Sequence, residues 1–127
     1  MSSFRTPLKN ARQLGSAKEG ADHFWKQRVT GVANLVLAVF LVWLRVSLAG
    51  ADHATVAATL ARPEIALPLI LLIVSGAIHM RLGMQVIIED YVHGEGAKIA
   101  LLMLNTFFAV TVGATSILGV LKLFFGA

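Results

Sequence analysis

"IALLMLNTFFAVTVGATSILGVL", residues 99–121, runs from end to end without a charged side chain. A hydrocarbon core about 30 Å thick is crossed by roughly 20 predominantly apolar residues, each rising about 1.5 Å along a helix. This stretch is long enough to span a bilayer by itself. Working outward, the pattern recurs twice. Ile65 to Met80 is uncharged and continues past Arg81 to Ile88, and Val29 to Leu44 is uncharged and continues past Arg45 to Ala49. Of the 127 residues, 57% are hydrophobic and only 14% charged, and the mean hydropathy is +0.75, well beyond what a soluble domain of this size needs for its core. The expectation is an all-α integral membrane protein. It forms one membrane-anchor domain with a basic leader over 1–28 and transmembrane helices over 29–49, 65–90 and 99–121.

The leader lacks the short apolar core and small-residue cleavage site of a secretory signal, so the first run reads as a retained span. Orientation follows from the loops. Arg5, Lys9, Arg12, Lys18, Lys26 and Arg28 precede the first span, whereas the loop from Gly50 to Glu64 carries only Arg62 between Asp52 and Glu64. The positive-inside rule therefore places the N-terminus in the cytoplasm. The 50–64 loop then lies outside, the Tyr91–Lys98 connection inside and the C-terminus outside; Lys122 opposes this, but a lysine near a helix end can snorkel. A pI near 10.0 in a soluble protein would suggest nucleic acid. Here the charge clusters beside a span, which favours anionic lipid or an attached partner and no nucleic acid. The absence of cysteine excludes disulfides, thiolate metal sites, iron–sulfur ligation and c-type haem attachment within the chain. Pro63 and Pro68 fall at the start and in the first turns of the second span, and "HGEGAK" gives a glycine-rich turn before the third.

The second span, ending in "SGAIHMRLGMQVIIEDYVHGEG" (75–96), gathers an unusual number of titratable groups. At about 100° per residue, His79 and Asp90 lie within about 20° on one helix face and roughly 16 Å apart along the axis. His79 is thus deep in the membrane, while Asp90 and Tyr91 reach its cytoplasmic boundary. An ionisable group at such depth is costly and faces protein or a cofactor. Two readings stand side by side. His79 is an axial ligand to haem iron, with Gly76 and Gly83 admitting the flat macrocycle; or it donates to a backbone carbonyl across a helix interface, with the glycines serving close packing. His23, His53 and His93 lie at no matching depth, so a second iron ligand would come from another chain, making this protein a subunit of an assembly. Arg28 reads as a cation for a propionate or a quinone pocket, or as an interfacial anchor beside Trp25. Asn34 reads as an interhelical hydrogen-bonding residue. Tyr91 can donate to a quinone carbonyl with Asp90 beside it, or be an ordinary interfacial tyrosine.

"HMRLGMQVIIEDYV" resembles the second transmembrane helix of the small hydrophobic membrane anchor subunit of succinate dehydrogenase, respiratory complex II. That family's pattern is a haem-ligating histidine, a glycine four residues on, and Asp-Tyr at eleven and twelve. "DHFWKQRVTGV" resembles its entry into the first helix, and the three-span outline and length agree over nearly the whole chain. The resemblance implies a bundle shared with a second anchor subunit. His79 would be one axial ligand of a b-type haem, the cytochrome b anchor subunit supplying the other. Asp90 and Tyr91 would line the ubiquinone site, with Tyr91 donating to a quinone oxygen, and Arg28 would sit near a propionate. It further implies docking of the flavoprotein and iron–sulfur subunits, a place in respiratory electron transfer and the tricarboxylic acid cycle, location in the bacterial inner membrane, and no complete active site in this chain alone. Arg81 departs from the family's aromatic or apolar residue. The alternatives are the anchor of a quinol:fumarate reductase and a haem-free membrane scaffold.

Overall fold

The computed structural model describes residues 16–126. These form four helices: α1 over Ser16–Ser47, α2 over His53–Leu60, α3 over Pro63–Tyr91 and α4 over Glu95–Phe125. Three of them, α1 from Gly20, α3 and α4, are long and apolar enough to cross a membrane. Arg5, Lys9 and Arg12 of the basic leader lie outside the described residues.

Helix limits differ from the hydropathy reading for physical reasons. The first helix begins at Ser16, well before residue 29, and ends at Ser47. Lys26 and Asp22, which precede the apolar run bounded by Arg28, sit one turn apart and pair at 2.5 Å, so they suit an exposed helical turn. Within the 50–64 loop, α2 is an additional short helix. Asp52 starts it by accepting the Thr55 backbone N–H at 3.0 Å, just after Gly50 turns the chain with φ +80°. Pro63 occupies the first turn of α3, where its missing donor costs nothing, and the helix continues through Pro68. The connection between α3 and α4 shortens to residues 92–94, with Gly94 capping α4, so these helices are antiparallel neighbours. Gly126, with φ +70°, closes α4 in the left-handed region.

Helix α3 is the middle of the row: it packs on both α1 and α4, and those two do not pack on each other among the described residues. Helix α2 packs against both α3 and α4. On α1 the side toward α3 is a stripe of His23, Gln27, Thr30, Asn34, Leu37, Leu41 and Leu44, alternating steps of four and three. That is the spacing of a helix seam, here polar in its first half and apolar in its second. On the other seam, Ala109 and Gly113 of α4 are buried, and a Cβ placed on Gly113 would stand 3.3 Å from the Ala77 Cβ. A small residue there lets the backbones approach. Little else is covered, since only 6% of the apolar window of α1 is buried within the chain. Most apolar surface therefore faces lipid or other chains.

Candidate functional site

The seam between α1 and α3 holds the imidazole of His79. The Thr30 hydroxyl lies 2.8 Å from the Lys26 carbonyl, 3.2 Å from that of Gln27 and 3.1 Å from His79 Nδ1. A carbonyl only accepts, so the hydroxyl can give its proton to a helix carbonyl and turn a lone pair to the ring. In the tautomer protonated at Nδ1, the ring N–H donates a hydrogen bond to Thr30 Oγ1. The consequence of that tautomer is at the other nitrogen: Nε2 carries a bare lone pair. It makes no hydrogen bond among the described residues and is not sealed within the chain.

Two further contacts fix the ring. Ser75 Oγ, one turn before His79, donates to the Thr30 carbonyl at 3.2 Å, so α1 and α3 are tied by two side-chain contacts that converge on Thr30. Gly31 provides the floor, because a Cβ there would lie 3.4 Å from His79 Cε1 and 3.9 Å from Nδ1. The glycines flanking His79 on its own helix behave differently. Gly83 faces the Gln27 amide, 3.4 Å from where its Cβ would be, and Gly76 has nothing within 4 Å.

Arg28, Asp90 and Tyr91 are not brought to this point by the chain. Arg28 stacks on the Phe24 ring with its guanidinium carbon 3.4 Å from the centroid, on an exposed side of α1. Asp90 and Tyr91 end α3 roughly 16 to 18 Å along the axis from His79, and Tyr91 is 78% exposed. Both acid and phenol are thus available to something outside this subunit. Between them and His79 lies a cleft of about 570 Å³, lined by Gly20, Asp22, His23, Lys26, Leu82, Gln85, Val86 and Glu89. Gln85 donates to Glu89 at 2.8 Å, and at its edge His23 Nε2 and Gln27 Oε1 are buried without partners. Asn34 is on the same seam, and its Oδ1 is likewise buried and unpartnered.

Arg81 turns the other way. Its Nε donates to Thr106 Oγ1 at 3.2 Å, and Asn105 Nδ2 donates to the Arg81 carbonyl at 2.9 Å, so the residue belongs to the α3–α4 seam.

The donor set suits one kind of metal group. No cluster of three or more His, Asp or Glu side chains able to hold an ion occurs among the described residues. One imidazole with Nδ1 held against a hydroxyl is a protein ligand that fits iron already held in a macrocycle, with any second axial ligand supplied elsewhere. Sequence reading did not pick out Thr30, Gly31 and Ser75. Their part depends on packing between residues more than forty positions apart, and a threonine in an apolar run carries no local signal.

Comparison with known proteins follows the same line. Residues 2–113 match the family described as succinate dehydrogenase/fumarate reductase transmembrane subunit. The succinate dehydrogenase hydrophobic membrane anchor subunit of Paracoccus denitrificans is 31% identical over 96% of this chain and 94% of its own length. Those of Rickettsia bellii and Rickettsia conorii are each 29% identical over 84% of this chain and 86% of theirs. No solved structure matches. With bacterial relatives and three apolar helices, the chain is a multi-pass protein of the bacterial inner membrane. A match over most of its length shows that it belongs to the succinate dehydrogenase/fumarate reductase transmembrane subunit family, as a membrane anchor.

Proposed function

We propose that this anchor contributes one axial ligand, His79, to a b-type haem shared with a second, cytochrome b anchor subunit. We further propose that it helps form the ubiquinone site of a succinate dehydrogenase. The observation that carries the reading is the Thr30–His79 contact at 3.1 Å, which with the proton on Nδ1 leaves the Nε2 lone pair free for iron inside a membrane-spanning helix. When bound, the haem supplies a one-electron carrier between the helices. The work of this chain is to hold the imidazole: Thr30 keeps the proton on Nδ1, Gly31 gives the ring room, and Ser75 fixes the two helices in register.

At the end of α3, Tyr91 donates its phenol proton in a hydrogen bond to a quinone oxygen, with Asp90 beside it. Ubiquinone takes up two electrons and two protons there, on the cytoplasmic side where the iron–sulfur and flavoprotein subunits dock. The exposure of Tyr91 and Asp90 supports a pocket completed by those partners. Arg28 is placed for a propionate or for the pocket, since its stacking on Phe24 leaves it accessible. The family description covers fumarate reductases too, and the direction of the reaction is read from the quinone used.

The test is a dithionite-reduced minus oxidised spectrum of the affinity-purified complex, with its chains identified by mass spectrometry. A b-type α-band that disappears in His79→Ala, together with a flavoprotein and an iron–sulfur protein, is the expected result. An unchanged band in His79→Ala would overturn the ligand assignment, and a colourless complex would return the chain to the role of a haem-free anchor.

A further inference from the structure

Arg81 is the charged residue farthest from both ends of α3. In a helix of 29 residues it lies about 15 Å from Tyr91 and about 27 Å from Pro63, at 1.5 Å per residue. That is too deep to count as an anchor at a helix end. Its Nε is satisfied by Thr106, yet the residue is exposed, and no carboxylate among the described residues pairs with it. A guanidinium is not discharged by losing a proton, so it needs an anion or a polar surround.

Beside it runs a groove between α3 and α4 of about 360 Å³, bounded by Arg81 and lined by Val74, Ala77, Ile78, Val110 and Ala114 among others. Three occupants can be weighed by charge. A second copy of this chain in the same orientation brings no acid to that level: the acidic residues of α3 and α4 are Glu64, Glu89, Asp90 and Glu95, all at helix ends, and those of α1, Glu19 and Asp22, lie in its first two turns. A phospholipid phosphate stays at the headgroup level. An acidic side chain on a neighbouring helix meets the need, and the groove gives that helix an apolar bed.

We infer that the α3–α4 groove receives a transmembrane helix of a different polypeptide that carries an aspartate or glutamate at the depth of Arg81. The inference concerns the face of α3 opposite His79 and does not depend on what His79 binds. It is tested on the intact membrane complex by a photo-cross-linking residue at Val110, together with Arg81→Leu and Arg81→Glu. The expected adduct is to a helix of another chain within one turn of an Asp or Glu. Recovery of that chain through a tag on this one should fall at least tenfold in Arg81→Glu, and return when the acid is exchanged for arginine. Arg81→Leu, which inserts at least as readily as the native helix, should reduce recovery in the same direction. Adducts to lipid alone, to a second copy, or to a helix without a nearby acid would overturn the inference, as would unchanged recovery in Arg81→Glu.

Discussion

Replacing Thr30 by valine removes one oxygen and keeps the shape of the side chain, so it isolates the contact on which the haem reading rests. In the native seam Thr30 Oγ1 lies 3.1 Å from His79 Nδ1 and accepts from it when the ring is protonated there, and the hydroxyl is itself anchored to the Lys26 carbonyl at 2.8 Å. In Thr30→Val that N–H has no acceptor, and leaving a part-buried donor unpaired costs about 1–3 kcal/mol. The ring escapes part of this by moving its proton to Nε2. A ring protonated there cannot bind iron through that atom. At about 1.4 kcal/mol per tenfold, the penalty corresponds to a loss of roughly 5- to 150-fold, which brackets the 10–100-fold commonly lost when a ligand's outer hydrogen bond is removed. The assay is haem withdrawal from the purified complex by excess apomyoglobin, followed by the absorbance of the complex, with subunit content checked on the same sample. Thr30→Ser retains the oxygen and should track the native protein; Thr30→Val should release haem at least tenfold more readily. Identical withdrawal in all three proteins would refute the tautomer argument, whatever else His79 does.

Tyr91→Phe removes only the phenol oxygen from an exposed ring. It should lower quinone reduction at least tenfold while succinate oxidation by an artificial dye stays within twofold, and an equal fall in both would count against a quinone contact. Gly113→Leu puts carbon where a Cβ alone would stand 3.3 Å from Ala77. Overpacking of this kind costs about 1–3 kcal/mol, so the complex should lose thermal stability in detergent, with Gly113→Ala intermediate; a Leu variant as stable as the native would show that α3 and α4 do not meet there. The Asp52 carboxyl is held below its ordinary 3.8 by the Thr55 hydroxyl and then the Thr55 N–H. With the folded value lowered, its support for α2 is complete above about pH 3.8 and is lost as pH falls through the lower folded value. Protection of the amides over residues 53–60, taken relative to their intrinsic exchange rates at each pH, should therefore fall on acidification below that point, and Asp52→Asn should flatten the dependence; a native protection profile that is already flat would argue against the cap.

The three spans were legible because length and hydropathy decide them locally: nothing but a bilayer asks for the run from 99 to 121. Helix limits were not, because hydropathy marks where charge begins, not where a helix stops. Arg28 ends the apolar run, yet Asp22 and Lys26 before it pair one turn apart on a helix that extends back to Ser16. Helix α2 escaped notice because it lies in a short loop and its one strong signal is the cap at Asp52. His79 was conspicuous as an ionisable group at membrane depth. The glycine against its ring, Gly31, stands on α1 and carries no signal in the sequence, since it meets His79 only through packing of the two helices. Arg81 could not be assigned from sequence, since only the neighbour across the seam, Thr106, shows which way it turns.

The place of α3 between two helices that do not touch each other has a consequence for how the protein is made and kept. A closed bundle would finish itself, whereas an open row leaves both outer helices attached along one side only. Among the spanning helices, a newly inserted copy without its neighbours in the bilayer holds α1 and α4 only through their single seams with α3. Its abundance should then follow that of its partners, because quality-control proteases degrade loosely packed membrane segments. Synthesis of this subunit would set only an upper limit, and assembly would set the amount that survives.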